Sequence, residues 1–146
     1  MTHEDVQAWL DRYIAAWRSY DPLAIGDLFS EDIVYRFQPW HEGDRVLHGR
    51  VAVVAGWLEP KLHDDPATIE ASYRPYAVDG DRAVAVGWSL YHETPGGPLR
   101  EAFDNCFLLR FADDGSCSEF TEFWTKRPDE AAIPGDEASP ADQGST

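Results

Sequence analysis

The sequence predicts an α+β fold in which three N-terminal helices pack on a curved antiparallel or mixed sheet. Two observations support this fold class. Over residues 4–20 apolar residues recur at three- and four-residue spacing, which is typical of a helix with one buried face. From residue 68 onward apolar and polar residues alternate, which is typical of strands. Helices followed by antiparallel strands indicate an α+β order.

Three helices are predicted, over residues 4–20, 22–30 and about 50–62. The apolar face of the first consists of Val6, Leu10, Tyr13, Ile14 and Trp17. Asp21 followed by Pro22 predicts the start of the second helix, because Asp is a favoured N-cap and Pro fits the first helical position. Pro60 is expected to disturb only the end of the third helix.

Five strands are predicted, over residues 32–39, 68–78, 82–93, 100–111 and 116–126. The first ends at Pro39, which cannot continue a ladder. The other four are separated by DGD, TPGGP and ADDG, which are rich in turn-forming residues. One curved sheet can bury a face only if the helices pack across it. This arrangement predicts a cone whose open mouth is the binding site.

Composition indicates one domain and an acidic tail. A chain of 146 residues is the size of one domain, which we place at residues 1–127 as the cone. Residues 128–146 contain five acids, no bases and almost no large apolar residues, so we expect a disordered tail. The net charge of −15 argues against nucleic acid and anionic membranes as partners. Without a signal-peptide pattern, a cytoplasmic location is expected.

The stretch FDNCFLLRFADDGSCSEFTEFW keeps Asn105 and Glu122 among apolar residues. If ADDG is a four-residue loop, Phe111 pairs with Ser116 and Asn105 lies opposite Glu122. The buried face then consists of Phe103, Asn105, Phe107, Leu109, Phe111, Phe120, Glu122 and Trp124. Cys117 is expected on the opposite face. With a three-residue loop, the side chain of Glu122 would instead point to the opposite face of the sheet.

A carboxylate on a buried face is costly unless it is hydrogen-bonded or neutralised. Burial also raises the pKa of a glutamate toward the range useful for proton transfer. Three interpretations stay open for Glu122 and Asn105. Glu122 carries a proton while Asn105 orients it or binds a substrate carbonyl, or both contact a ligand without chemistry, or they close a structural hydrogen-bond network.

Aromatic residues predict a wall for a small apolar ligand. The candidates for ligand contact are Trp17, Tyr35, Trp57, Trp88, His92, Phe103, Phe107, Phe120 and Trp124, although core packing is the more common use of any single one. His92 shares a strand face with Trp88, so it is expected near the rim as a proton carrier or as a surface residue. The His and acidic residues of loop 40–48 match no metal-ligand spacing, so neither a metal nor a cofactor is expected.

The order of elements resembles the SnoaL-like, or nuclear transport factor 2-like, superfamily over residues 4–127. The resemblance rests on AAWRSYDPLAIGDLFSEDIVY, on the entry His48-Gly49-Arg50 to the third helix, and on F-x-N-x-F…RFADDG…E-F-T-E-F-W. It implies the cone-shaped fold. Proteins of this fold include ketosteroid isomerases, polyketide cyclases, scytalone dehydratase, limonene epoxide hydrolases and plain binding or dimerising domains.

The resemblance also implies roles at single positions. Tyr13 falls where the isomerases place a tyrosine that donates to an oxyanion. Glu122 matches the aspartate with which the epoxide hydrolases activate water. The isomerases' base is replaced by Gln38, which cannot carry protons at neutral pH, and their second aspartate by Phe107. Trp88-Ser89-Leu90 stands where the epoxide hydrolases have arginine-x-aspartate.

We therefore expect a cofactor-independent acid–base enzyme, of the cyclase, isomerase or dehydratase type, acting on a small apolar carbonyl-bearing molecule. Its catalytic residues would be Glu122, Asn105 and Tyr13. The alternatives are a protein that binds an apolar ligand without turnover and a dimerisation module with a filled cone. Apolar residues on the outer sheet face predict a homodimer, through Leu108, Phe123 and Tyr91.

Overall fold

A computed structural model of the chain describes residues 1–60 and 64–132, and it confirms the α+β class. The helices are α1 (His3–Ser19), α2 (Pro22–Gly26) and α3 (Arg50–Trp57). The strands are β1 (Phe29–Arg36), β2 (Leu47–His48), β3 (Ile69–Asp79), β4 (Arg82–His92), β5 (Leu99–Phe111) and β6 (Cys117–Lys126). Short 3-10 turns cover Gly43–Arg45, Pro66–Thr68 and Asp129–Ala131.

The six strands form one mixed sheet in the order β2-β1-β6-β5-β4-β3. β1 runs parallel to β6, and all other neighbouring strands are antiparallel. β6 therefore lies inside the sheet, between β1 and β5. Two-residue β2 falls in a segment that the sequence predicts to be a loop, because so short a strand leaves no alternating pattern.

The pairing of β5 with β6 differs from the predicted one by two residues. Glu122 lies opposite Phe107 rather than opposite Asn105, and Asn105 lies opposite Trp124. Asn105 and Glu122 are thus diagonal neighbours. Because side chains alternate with a period of two, a shift of two residues keeps both on the face predicted for them.

Two one-residue irregularities produce this shift. The loop between the strands is one residue longer than predicted, since Phe111 pairs with Cys117. A β-bulge follows, because Arg110 pairs with Glu119 and leaves Ser118 without an opposite residue in β5. Because of the bulge, Cys117 faces the core and is fully buried. The prediction that Cys117 faces outward is therefore wrong.

α1 covers the inner face of the sheet. Its first turn is closed by a capping box in which the Asp5 carboxylate accepts the backbone N–H of Thr2 at 2.8 Å and the Thr2 hydroxyl accepts the backbone N–H of Asp5 at 3.1 Å. Trp9 packs edge-on against Phe111 and donates its indole N–H to the carbonyl of Leu28 at 3.0 Å. One helix face therefore holds both the sheet and the start of β1.

The other two helices begin as the sequence predicts, but both end early, and α2 ends at Gly26 instead of residue 30 because β1 already begins at Phe29. The carboxylate of Asp21 accepts the backbone N–H of Leu23 at 3.1 Å, and Pro22 takes the first position of α2. α3 ends at Trp57 instead of continuing to about residue 62, because Pro60 excludes the helical conformation of the residue before it. The predicted helical residues 61 and 62 lie outside the described residues.

The end of β6 is fastened to its neighbour by Arg127. Its guanidinium donates two hydrogen bonds to the carboxylate of Asp104, at 2.7 and 2.8 Å, and its backbone N–H donates to the carbonyl of Ala102. Of the predicted acidic tail, residues 133–146 lie outside the described residues. Within the described ranges, no helix has the length and apolar character needed to cross a membrane.

Gly87 of β4 is required for the close approach of β3. A Cβ added at this position would overlap the carbonyl oxygen of Ser72 and the ring of Tyr73. We expect Gly87→Ala to lower the free energy of unfolding by about 1–3 kcal/mol, because overpacking forces the two strands apart. Urea denaturation followed by tryptophan fluorescence measures this difference.

Gly26→Ala is the matched control. A Cβ at Gly26 would make ordinary contacts with the side chains of Arg50 and Val54, so its stability should stay within about 1 kcal/mol of the wild type. A Gly87→Ala variant as stable as the Gly26→Ala variant would contradict the close approach of β3 to β4.

Candidate functional site

A cavity of about 360 Å³ opens on the inner side of the sheet. This volume lies within the range of small-molecule sites, about 300–1,000 Å³. Ten of its lining residues are aromatic, and the others are two acids, one amide and one hydroxyl. The lining consists of Tyr13, Trp17, Tyr20, Tyr35, Phe37, Trp57, Asp64, Tyr73, Ser89, Tyr91, Phe103, Asn105, Glu122 and Trp124.

Glu122 is joined to two neighbouring strands by a chain of hydrogen bonds. Asn105 of β5 donates its side-chain N–H to Oε1 of Glu122 at 3.1 Å. The hydroxyl of Ser89 in β4 donates to Oδ1 of Asn105 at 3.0 Å. Ser89 and Asn105 are buried, whereas Glu122 keeps part of its surface at the cavity. The amide is therefore oriented with its N–H groups toward the carboxyl.

The surroundings of Glu122 bring the pKa of its carboxyl close to neutral pH. Burial raises the pKa of Glu122 to about 7, and the hydrogen bond from Asn105 acts in the opposite direction because it favours the carboxylate. No described lysine, arginine or histidine forms an ion pair with it. The side chain can therefore release or accept a proton near pH 7.

A stack of three rings holds two phenols beside this carboxyl. Phe120, two residues before Glu122 on the same strand, lies between Tyr13 and Tyr35. The ring centroids are 5.7 Å apart on the Tyr13 side and 4.4 Å apart on the Tyr35 side, with interplanar angles of 12° and 2°. Burial above all, and the charge of Glu122, raise the pKa of both phenols. Both hydroxyls therefore remain protonated donors.

The rim of the cavity is polar on one side. The Tyr20 hydroxyl donates to the carbonyl of Asp64 at 3.1 Å and accepts its N–H at 2.8 Å. Arg100 donates to the Asp64 carboxylate at 3.3 Å, and its guanidinium lies 5.7 Å from the ring centroid of Tyr91. Trp124 is 47% exposed at the mouth. The charge of Asp64 is therefore paired, in contrast to that of Glu122.

The structure brings together eight of the twelve predicted site residues. These are Tyr13, Trp17, Tyr35, Trp57, Phe103, Asn105, Glu122 and Trp124. Phe107 and Phe120 do not line the cavity, because the rings of Tyr13 and Tyr35 cover them and leave them at most 1% exposed. Their part is the packed floor beneath it. The catalytic and binding roles stay predictions.

β4 turns the opposite face to the cavity from the one predicted. Ser89 lies opposite Phe103, which lines the cavity, so Ser89 and Tyr91 face inward. Trp88 and His92 face the other way and do not line the cavity. Tyr91 is therefore a cavity residue and not the outer-face dimer contact that the sequence predicts.

The size of the residues explains this error. The inner face of β4 carries small residues, Ala83, Ala85, Gly87 and Ser89, which leave room for the rings of β3 and β5. A reading that assigns the largest apolar side chain to the interior selects Trp88 instead. His92 lies 2.8 Å from the carboxylate of Glu70, outside the cavity. Leu108 and Phe123 are exposed on the outer face, and the homodimer stays a prediction.

Sequence reasoning missed several residues of the lining. Besides Tyr91 these are Tyr20, Phe37, Asp64, Tyr73 and Ser89. The alternation of β3, in which Ile69 and Tyr73 are buried, offered a signal for Tyr73. Asp64 and Tyr20 carried no such signal, because the Tyr20 hydroxyl bonds the backbone of Asp64 across a sequence distance that no local pattern reports.

The fold and the cavity define an α+β domain whose helices cover one face of a mixed sheet and leave an aromatic cavity beside a carboxyl. The chain belongs to the SnoaL-like domain family, whose model matches residues 10–120. Comparison with curated proteins found no match. Within the described residues, no group of three or more His, Cys, Asp or Glu side chains could hold a metal ion.

Glu122 is expected to make stability fall as the pH rises. Its pKa is about 7 in the folded state and 4.5 ordinarily, so the folded chain binds the proton more tightly than the unfolded chain. The contribution of Glu122 to stability is then fully present below pH 4.5 and is lost as the pH rises through 7. Glu122→Gln should be more stable than the wild type by about 2–3 kcal/mol at pH 8 and equal to it at pH 4.

Urea denaturation at a series of pH values measures this difference. Glu93→Gln is the control, because Glu93 is exposed in the turn after β4 and makes no side-chain hydrogen bond among those found in the described residues. A constant stability difference between Glu122→Gln and the wild type from pH 4 to 8 would disprove the raised pKa.

Proposed function

We propose that this protein is a cofactor-independent acid–base enzyme that moves a proton on a small, apolar, carbonyl-bearing molecule. The observation that supports this most directly is the carboxyl of Glu122, which has a pKa of about 7 and lies in an aromatic cavity without a described cationic partner. A general base is most effective when its pKa is near the working pH.

The hydrogen bonds of Glu122 leave one oxygen for the substrate. Oε1 accepts the N–H of Asn105, and no described side chain donates to Oε2. Ionised Oε2 would remove a proton from the carbon next to the substrate carbonyl, and the C–H electron pair would form the enolate. The protonated Glu122 then returns the proton to the same carbon or to another. Isomerisation, cyclisation and dehydration can all begin with this step.

Neutral phenols are the donors available to the enolate oxygen. Tyr13 lies against Phe120 and keeps its proton because burial raises its pKa. A positioned neutral donor stabilises a developing oxyanion without having to reorganise. Tyr13 is therefore our candidate for this role, and Asn105 is our candidate for holding Glu122 in place.

A second candidate is a protein that binds an apolar ligand without turning it over. The observation that favours it is the lining itself, in which ten of fourteen residues are aromatic and only four offer other polar groups. A dimerisation module with a filled interior has less support, since a cavity of about 360 Å³ remains above Phe107 and Phe120.

Exchange of carbon-bound hydrogen in D₂O tests proton transfer without knowledge of the natural substrate. A panel of small aryl and alicyclic ketones is incubated with the protein, and deuterium uptake is followed by NMR. We expect acceleration by the wild type that rises between pH 6 and 8, because only ionised Glu122 accepts the proton. Glu122→Gln should be slower by about 100-fold or more.

The exposed control Glu93→Gln should exchange as fast as the wild type. Tyr13→Phe should slow exchange by about 10-fold or more if its hydroxyl stabilises the enolate, with unchanged ketone affinity. Equal exchange by the wild type and Glu122→Gln would overturn the catalytic proposal. Ketone binding that persists without any exchange would favour the binding protein.

A further inference from the structure

We propose that the ligand of this cavity carries a positively charged ammonium group, held between aromatic faces and the Glu122 carboxylate. This names a substrate class for the proposed function, and it rests on that function only in placing substrate and ammonium ligand in the same cavity. The preference for a cation does not itself require turnover.

The first argument is the charge of the lining. Two carboxyl groups line the cavity, and no lysine, arginine or histidine appears among its described lining residues. Asp64 is paired with Arg100 at 3.3 Å, whereas Glu122 has only the amide of Asn105. The chain as a whole has a net charge of −15. A carboxylate or phosphate ligand would face Glu122 without a cation among the described lining residues, so the lining disfavours anionic ligands.

The second argument is the kind of ring that forms the walls. Eight of the ten aromatic lining residues are tyrosine or tryptophan, and only Phe37 and Phe103 are phenylalanine. The electron-rich faces of tryptophan and tyrosine attract cations, and rings arranged around a cavity recognise quaternary ammonium groups. One of these rings already contacts a cation, because the guanidinium of Arg100 lies 5.7 Å from the ring centroid of Tyr91.

The third argument is the state of Glu122. Burial makes its ionised form unfavourable, and a cation in the cavity would offset that penalty. Cation binding must therefore favour loss of the Glu122 proton, and by linkage a higher pH must strengthen cation binding. The other described groups around it do not titrate between pH 5.5 and 8.5 or are paired at the rim: Tyr13, Tyr35, Tyr73, Tyr91, and Asp64 with Arg100.

An ammonium group on the substrate also supports the proposed chemistry. The described lining offers an enolate only neutral donors, namely phenols, one hydroxyl and one amide. A positive charge near the reacting carbon stabilises the negative charge that develops when the proton leaves. The substrate class is therefore a small amino ketone that is apolar apart from its carbonyl and ammonium groups, in which the amine supplies the charge that the walls lack.

Choline and 3,3-dimethylbutan-1-ol test this inference, because they have the same shape and differ only in a charged nitrogen in place of carbon. The charge of choline is permanent, so any pH dependence of its binding comes from the protein. Their dissociation constants for the full-length chain are measured by isothermal titration calorimetry at pH 5.5 and 8.5. We expect choline to bind about 10-fold or more tightly than the alcohol at pH 8.5, and about 5-fold or more tightly than at pH 5.5.

Glu122→Gln should remove the pH dependence and reduce the preference for choline to about 3-fold or less, whereas Glu93→Gln should retain both. Circular dichroism verifies that each variant is folded. The inference is overturned if choline does not bind, if the alcohol binds equally well at pH 8.5, or if the affinity for choline is the same at both pH values.

The two proposals fail separately. Ketone exchange that depends on Glu122, without a preference for choline, would overturn the ammonium ligand and support the acid–base enzyme. A Glu122-dependent preference for choline without any ketone exchange would support the ammonium ligand and overturn the acid–base enzyme, in favour of a binding protein for amines.

Discussion

The burial of one carboxyl on the inner face of β6 is the constraint on which the site depends. A charged group in such a position is stable only if it is protonated, hydrogen-bonded or paired with a cation. In this fold Asn105 donates one hydrogen bond to Glu122. Burial is not fully offset by this bond, so the pKa of Glu122 rises to about 7. On the same face, Phe120 is fully buried beneath the cavity, whereas Glu122 lines it. The free-energy cost of burying this charge is thus also what brings the pKa of Glu122 close to neutral pH.

The site is assembled from elements that are joined by hydrogen bonds and ring contacts. Ser89, Asn105 and Glu122 lie on three adjacent strands, and their hydrogen bonds run across the sheet in one direction. The rings of Tyr13 and Tyr35 approach Phe120 from α1 and β1. Polar groups held on packed strands and a packed helix need little rearrangement, which is the condition that the proposed acid–base chemistry requires for electrostatic stabilisation of a transition state.

Long periodic elements and the inner face of the β5–β6 hairpin could be predicted from sequence, and shorter or crowded features could not. Glu122 lies on the predicted face because the longer loop and the β-bulge at Ser118 each shift the register by one residue. A total shift of two residues leaves each side chain on the same face. β4 was assigned the wrong face because its interior residues are small, so size misleads where neighbouring rings need the space. The Tyr20 hydroxyl reaches the backbone of Asp64 only once the chain is folded, so no local pattern indicates their contact. The covering of the sheet by helices followed from the order of the elements, because one sheet can bury a face only if helices pack across it.

The parallel pairing of β1 with β6 has a consequence for how the chain folds during synthesis. Phe29 pairs with Cys117 and Tyr35 pairs with Phe120. One edge of β1 therefore gains its partner, β6, only after most of the domain has been translated. Until then, the edge of β1 on that side has unpaired backbone N–H and C=O groups. Pairings between distant residues form slowly, and unpaired strand edges are prone to aggregation. The strand that carries Glu122 is therefore also the one that ends this exposure.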